Sequence, residues 1–217
     1  MKELQQHIYE RRREYSAEKL SEQFVLRDPL KQFGVWLQEA IDAELPEPTA
    51  MVLSTVAIDG TSSSRVVLLR GFDEKGFTFF TNYHSRKGMQ IEQNPNASLL
   101  FFWPELHRQV RIEGAVQKLS AKESDDYFQS RPRESQISAW ASHQSKRLQS
   151  REELDVAFAK YSEEFKDTPV PRPPHWGGFC LVPEGIEFWH GRPSRLHDRL
   201  LFEMQESGEW KMCRLAP

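Results

Sequence analysis

Cysteine is scarce: the 217 residues contain two, Cys180 and Cys213, far apart and in no metal-ligand spacing. A disulfide framework is not expected, and a reducing cytoplasm is the simple reading. Long apolar runs are missing too, so nothing reaches the roughly 20 residues needed to cross a bilayer. The opening MKELQQHIYERRREY is charged and has no apolar centre, so no secretory signal is expected there. Nor is there an excess of one charge. Lys and Arg number 29 against 32 Asp and Glu, a net charge of −3, which offers no bulk basic field to nucleic acid or anionic lipid. No Gly-x-Gly-x-x-Gly loop, Gly-x-Ser-x-Gly elbow, His-Glu-x-x-His or Cys-x-x-Cys occurs, and the seven histidines are scattered. A Rossmann dehydrogenase, a serine hydrolase and a zinc enzyme therefore lack support, and no metal is expected.

What remains is enough apolar and aromatic content, 38% and 12%, for a folded core. Residues 2–20 are polar and helix-prone. Asp28-Pro29 is a helix start, and Leu30, Phe33, Leu37, Ala40 and Ile41 continue it at helical spacing to about Ala43. Strands are expected over Ala50 to Val56, Ser64 to Phe72 and Phe77 to Asn82, with a turn at Asp59-Gly60. Gly71 to Gly76 has the glycine spacing of a phosphate loop but lacks the Lys-Ser/Thr that must follow, so it reads as a hairpin. Ser85 opens a short helix. Ser98 to Trp103 and Gln109 to Leu119 are further strands, and Ser120-Ala-Lys-Glu123 is a capping box opening a helix to about Ser130. Helical stretches follow at Glu134 to Ala141 and Arg151 to Lys166. Asp167 to Pro174 reads as a proline-rich linker. Four strands close the chain: Gly178 to Val182, Ile186 to His190, Leu200 to Gln205 and Trp210 to Leu215. Strands and helices do not alternate regularly, so the fold class expected is α+β, a mainly antiparallel barrel-like sheet with helices around it.

Arginine recurs in short mixed contexts: Arg65 and Arg70, Arg86 beside Lys87, Arg131 and Arg133, Arg195 and Arg199. A guanidinium is a planar fork of donors that suits phosphate oxygens. Any one of these arginines can be a surface ion-pair partner, but four clusters together point to bound phosphorylated molecules. In a regular strand Arg65 and Arg70 face opposite sides and serve different groups. Phe79, Phe80, Thr81, Gln109, Gln144, Ser145 and Trp189 are suited to wall a flat heteroaromatic ring and bond its edge. Core packing is the competing reading for Phe79, Phe80 and Trp189. Composition and spacing reach a flat phosphorylated ligand and stop there.

Ten strings carry a resemblance over nearly the whole chain: RREY (Arg12 to Tyr15), PTAM (Pro48 to Met51), RVVLLR (Arg65 to Arg70), FFTNYHSRK (Phe79 to Lys87), RQVRIEG (Arg108 to Gly114), YFQSRPRESQISAWAS (Tyr127 to Ser142), WGGF (Trp176 to Phe179), IEFWHG (Ile186 to Gly191), RLHDR (Arg195 to Arg199) and the terminal RLAP. In these the chain resembles the pyridoxine/pyridoxamine 5′-phosphate oxidases. The resemblance implies an FMN-binding split β-barrel, residues 21–217 as one oxidase domain, and residues 1–20 as a flexible lid. It also implies a cytoplasmic homodimer with FMN at the subunit interface. As FMN contacts it implies Arg65, Val66, Val67, Leu68, Leu69, Arg70, Phe80, Thr81, Arg86, Lys87, Gln109, Gln144, Ser145, Trp189 and Arg199. As substrate contacts it implies Arg12, Arg13, Glu14, Tyr15, Arg70, Tyr127, Arg131, Ser135, Arg195, Leu196 and His197. As the catalytic pair, holding the pyridine ring against the flavin, it implies Arg195 and His197.

The reaction implied is hydride transfer from C4′ of pyridoxine or pyridoxamine 5′-phosphate to FMN, with O2 as final acceptor and hydrogen peroxide released. One departure is visible. The family string ends in lysine where this chain has Arg70, which keeps the charge but widens the donor group. Competing readings are a split-barrel FMN enzyme for another ring and a non-catalytic FMN or pyridoxal-phosphate binder. SRPRES and RLHDR lie in the family's substrate-binding part and favour the oxidase.

Overall fold

The computed structural model describes residues 20–217. The helix expected over residues 2–20 therefore falls outside them, apart from its last residue. So do Arg12, Arg13, Glu14 and Tyr15. The chain forms two compact units, one of residues 20–48, 102–111 and 185–217, the other of Thr49–Phe101 and Ile112–Glu184.

The second unit carries the strands β1 (Ala50–Val56), β2 (Ser62–Leu68), β3 (Gly71–Asp73) and β4 (Gly76–Asn82) and the helix α2 (Arg86–Gln93). It also holds α3 (Ala121–Ser130), α4 (Arg133–Ala141) and α5 (Glu152–Glu164). Three strands continue from one unit into the other: β5 (Asn96–Trp103), β6 (Arg108–Lys118) and β7 (Trp176–His190). The first unit adds α1 (Pro29–Asp42), β8 (Asp198–Met204) and β9 (Trp210–Arg214). Hydrogen-bonded neighbours follow the order β2-β1-β5-β6-β7-β4-β3, with β8 on β7 and β9 on β8. The pairs β1–β2, β1–β5, β3–β4, β4–β7, β7–β8 and β8–β9 are all antiparallel. Regular strand-helix alternation is absent, as expected of α+β.

Two expected strand boundaries are corrected. The strand read over Ser64 to Phe72 is broken at Leu69-Arg70. Up to Leu68 it pairs with β1. The Leu69 amide donates to Thr49 O at 2.9 Å, and the Arg70 amide to Thr78 O at 2.8 Å. The backbone changes partner between these residues, so strand alternation cannot be carried from Arg65 to Arg70. Conversely, the two strands read at Gly178 to Val182 and Ile186 to His190 are one 15-residue strand, β7. Its residues 176–181 pair with β4 and its residues 185–190 with β8. Pro183 lies between the two paired stretches, where its missing N–H costs neither ladder a bond.

Asp28 caps α1 as its sequence suggests, accepting from the amides of Leu30 and Lys31. The helix buries Phe33, Trp36, Leu37 and Ala40, and Trp36 meets Phe188 edge-on at 5.1 Å. In the other unit, Phe128, Ile137, Ala139, Phe165, Val170 and Trp176 form one apolar cluster. Asp167 to Pro174 has no helix or strand and is mostly exposed, as expected of a linker, with Val170, 1% exposed, packed into this cluster. Phe79 is fully buried against Phe179, and core packing is the reading that holds for it.

Candidate active site

The second unit contains an open cavity of about 320 Å³. Val66, Val67, Leu68 and Arg70 line it from β2 and the residues just beyond. Phe80 and Thr81 come from β4, Lys87 from α2, Tyr127 and Arg131 from the end of α3, Gln144 from the loop after α4, and Trp176 from the start of β7.

The corner between β4 and α2 presents the cations. Ser85 caps α2, its hydroxyl accepting from the Gly88 amide at 3.3 Å and donating to Asn82 O at 2.7 Å. Arg86 and Lys87 thereby fall in the first helical turn. The loop after α4 closes on this corner. The Arg86 amide donates to Ser145 Oγ at 3.1 Å, and Lys87 Nζ donates to Gln144 Oε1 at 2.7 Å and Thr81 Oγ1 at 3.2 Å. Ser145 takes a left-handed backbone, φ 71°, which a non-glycine residue adopts only where its surroundings demand it. Burial, and then the Arg65 charge, lowers the Lys87 pKa to about 8. Arg65 donates to Leu53 O at 3.1 Å, Thr55 Oγ1 at 2.7 Å and Ser63 Oγ at 2.5 Å. Its pKa is lowered by burial and by Arg86. Among the described residues, no carboxylate forms an ion pair with Arg65, Arg86 or Lys87.

A second cationic position lies at the end of α3. The Arg131 guanidinium stacks 4.5 Å above the Trp176 ring and 5.6 Å from the Phe128 ring. Its Nη1 is buried without a hydrogen-bond partner, a costly state for a charged donor. Burial lowers its pKa; the nearby Tyr127 opposes that and Arg70 adds to it. Phe80 stacks on Tyr127 at 3.8 Å and on Trp176 at 5.6 Å, with interplanar angles of 16° and 15°. Flat aromatic walls, two groups of cations without an ion-paired carboxylate and an amide are chemistry suited to a planar molecule carrying phosphate.

Of the residues implied by the resemblance, Val66, Val67, Leu68, Arg70, Phe80, Thr81, Lys87, Tyr127, Arg131 and Gln144 line this cavity. Arg65, Leu69, Arg86, Ser135 and Ser145 belong to the same unit without being among its lining residues; Leu69 is a 5% exposed core residue. Gln109, Trp189, Arg195, Leu196, His197 and Arg199 belong to the other unit. There His197 lies 4.7 Å from Trp189, ring to ring, and its Nδ1 accepts from the Arg192 amide at 3.1 Å. That leaves the proton of the neutral ring on Nε2. Burial, and then Arg195, lowers the His197 pKa. Ser194 and Arg195 both have positive φ, 57° and 61°, so the loop holds its shape at a strain cost.

Two of the clustered arginines have structural work. Arg133 donates to the carbonyls of Phe165, Lys166 and Thr168 at the end of α5. Arg199 makes two bonds to Glu187, at 2.7 and 3.0 Å, and one to Ala216 O. Trp176, Thr55, Ser63 and Gln90 are not among the residues to which the sequence points. Trp176 stands in the quoted WGGF string, so a signal for it existed. The other three are ordinary polar residues whose convergence has no local mark.

The antiparallel α+β fold holds a cleft whose aromatic walls and cations suit a planar phosphorylated ligand. Among solved structures, the chain is similar to a pyridoxamine 5′-phosphate oxidase-related, FMN-binding protein of Nostoc punctiforme. Identity is 20%, TM-score 0.70, and the match spans 88% of this chain and 98% of that one; it shows the fold, a split barrel. PhzG of Burkholderia lata, solved with tetrahydrophenazine-1-carboxylic acid, is 33% identical with a TM-score of 0.86 over 93% of this chain and 100% of that one. Residues 37–164 match the family model for pyridoxamine 5′-phosphate oxidase, and residues 176–217 match the pyridoxine 5′-phosphate oxidase C-terminal dimerisation region. The pyridoxine/pyridoxamine 5′-phosphate oxidase of Cupriavidus necator is 54% identical over 206 residues, 95% of this chain and 97% of that protein. That of Rubrobacter xylanophilus is also 54% identical, over 95% and 94%. The chain belongs to the pyridoxamine 5′-phosphate oxidase family.

Proposed function

We propose that this protein oxidises pyridoxine 5′-phosphate and pyridoxamine 5′-phosphate to pyridoxal 5′-phosphate in the described cleft, with FMN as its cofactor. The observation that carries the reading is the buried, unpartnered Nη1 of Arg131, a donor that lacks only an anion. The residues present fit FMN. Arg65, Arg86 and Lys87 form a cation group without a paired carboxylate, suited to its phosphate, and the Val66 to Leu68 stretch and Gln144 border the space for its ring. When bound, FMN supplies the hydride acceptor for C4′ of the substrate and passes the electrons to O2, giving hydrogen peroxide.

The chain's own residues bind and orient. Arg131, with Arg70, Tyr127 and Ser135, takes the substrate phosphate. Stacking on Trp176 holds the Arg131 fork in one plane, so little orientational freedom remains to be lost on binding. Arg195 and His197 are the catalytic pair. The neutral His197 offers Nε2–H as a donor to the substrate ring while Arg195 supplies positive charge beside it. Leu196 covers the ring between them.

Trp189 to Arg199 lie within the match to the dimerisation region. The proposed assembly is a homodimer in which this stretch completes the FMN site across the subunit boundary, with Gln109, Trp189 and Arg199 as further cofactor contacts. Residues 21–217 act as one oxidase domain, and residues 1–20 as a lid bringing Arg12, Arg13, Glu14 and Tyr15 to the substrate. Both cysteines are free, which suits a reducing cytoplasm, and no described helix is long and apolar enough to cross a membrane. The test is an absorption spectrum of the purified protein before and after anaerobic addition of pyridoxamine 5′-phosphate. Flavin bleaching, followed by peroxide release when air is admitted, is expected. A flavin spectrum untouched by either substrate would overturn the reading.

A further inference from the structure

Gln90 lies one helical turn along α2 from Arg86 and is 5% exposed. Its Oε1 accepts the Thr55 hydroxyl at 2.6 Å and the Ser63 hydroxyl at 2.7 Å. A hydroxyl has one proton to give. Both protons are spent on Gln90, so both oxygens meet Arg65 purely as acceptors, Thr55 Oγ1 at Nη1 and Ser63 Oγ at Nη2. The direction of the network is therefore set from guanidinium to hydroxyl to amide carbonyl. It ties the helix bearing Arg86 and Lys87 to the strand pair bearing Arg65.

The network is also neutral. An arginine this constrained is commonly held by a carboxylate, as Arg199 is by Glu187. Arg65 is held by two hydroxyls, a backbone carbonyl and, behind them, an amide. Its charge is left uncancelled, and the pKa depressions of Arg65 and Lys87 report the resulting repulsion alongside burial.

We propose that Gln90 is a positioning residue that orients Arg65 through Thr55 and Ser63 with neutral groups alone, so that Arg65, Arg86 and Lys87 keep their full charge for a phosphate monoester. This rests on the reading that these three cations hold the FMN phosphate. Its consequence is a sharp difference between an amide and an acid at position 90. A glutamate accepts from both hydroxyls equally well and has the same volume. Beside three cations it is ionised at neutral pH, and it cancels part of the charge that the phosphate needs.

The test titrates full-length protein stripped of flavin with FMN and with riboflavin, which lacks the phosphate, following flavin fluorescence. Gln90→Glu is expected to weaken FMN roughly tenfold, about 1.4 kcal/mol, and to leave riboflavin affinity and Tm unchanged. Gln90→Leu, which frees both hydroxyls to rotate, is expected to weaken FMN and spare riboflavin. If Gln90→Leu fails to fold, Gln90→Glu still decides. Equal loss of both flavins would make Gln90 a packing residue and overturn the inference. Arg65→Ala separates the two levels. Undiminished FMN affinity in that variant overturns the phosphate reading itself. Weakened FMN there, with wild-type affinity in Gln90→Glu, overturns the role of Gln90 alone.

Discussion

Lys87 has its ammonium 2.7 Å from Gln144 Oε1 and a pKa lowered to about 8. Below that pH it is a cation for an anionic ligand; above it the charge is lost. FMN affinity is therefore expected to fall as pH rises from 7 to above 9, and Lys87→Arg, which stays charged, to flatten the profile. A titration series across that range checks it, and an unchanged slope in the variant counts against the assignment. The stability linkage runs the opposite way to the affinity. An unfolded lysine holds its proton up to the ordinary lysine value of 10.5, so between about 8 and that value the unfolded chain binds more protons. Stability then rises with pH through this window as the burial penalty is relieved. Arg131 allows a separate test. Arg131→Lys keeps the charge but loses both the fork and the stack on Trp176, so KM for pyridoxine 5′-phosphate should rise roughly tenfold or more, with a smaller change in kcat. An unchanged KM would remove Arg131 from the substrate phosphate. The arginine clusters were visible as a pattern, yet nothing local separates Arg131, with its open donor, from Arg133, which ties down the end of α5. Two positions of chain separate them, and each one's role depends on carbonyls and rings from distant segments.

Secondary-structure elements were legible where their signals are local. Ser120 and Glu123 form the expected capping box, each side chain meeting the other's backbone amide. Ser120→Ala should cost about 1 kcal/mol and lower Tm by a few degrees without touching KM, which thermal unfolding and steady-state kinetics would check together. The breaks in strands were not legible in the same way. RVVLLRGF is continuously β-prone, but the backbone changes partner at Leu69-Arg70. Gly178 to His190 contains Pro183 and Gly185, yet is one continuous strand. A strand ends where its neighbour's hydrogen bonds end, and the neighbour is distant in sequence. Gly88 shows the same dependence: a Cβ there would overlap the Tyr83 carbonyl. Gly88→Ala must push α2 away, and Arg86 and Lys87 with it. FMN affinity should drop by about tenfold or more alongside a loss of stability; an undisturbed affinity would mean that the helix start is not what places these cations.

The full chain raises a question of assembly. The cleft residues lie in one unit, and Trp189, Arg195, His197 and Arg199 in the other. If each site takes the second group from the partner subunit, two inactive variants should complement one another. Arg131→Ala and His197→Ala proteins, mixed under conditions that exchange subunits, would form mixed dimers with one intact site and one doubly defective site. Activity should recover to about a quarter of wild type when half the dimers are mixed. No recovery after verified exchange would place both groups of one site on a single chain.

Helix caps, hairpin turns, the α+β class and the family itself follow from short stretches of residues, because their causes act within a few positions or in strings long enough to be distinctive. The arrangement of the candidate site does not. Folding alone set the open donor of Arg131 over Trp176, the neutral cradle of Thr55, Ser63 and Gln90 behind Arg65, and the lowered pKa of Lys87. Each depends on burial and on groups brought together from separate strands and helices, and no sequence interval records that proximity.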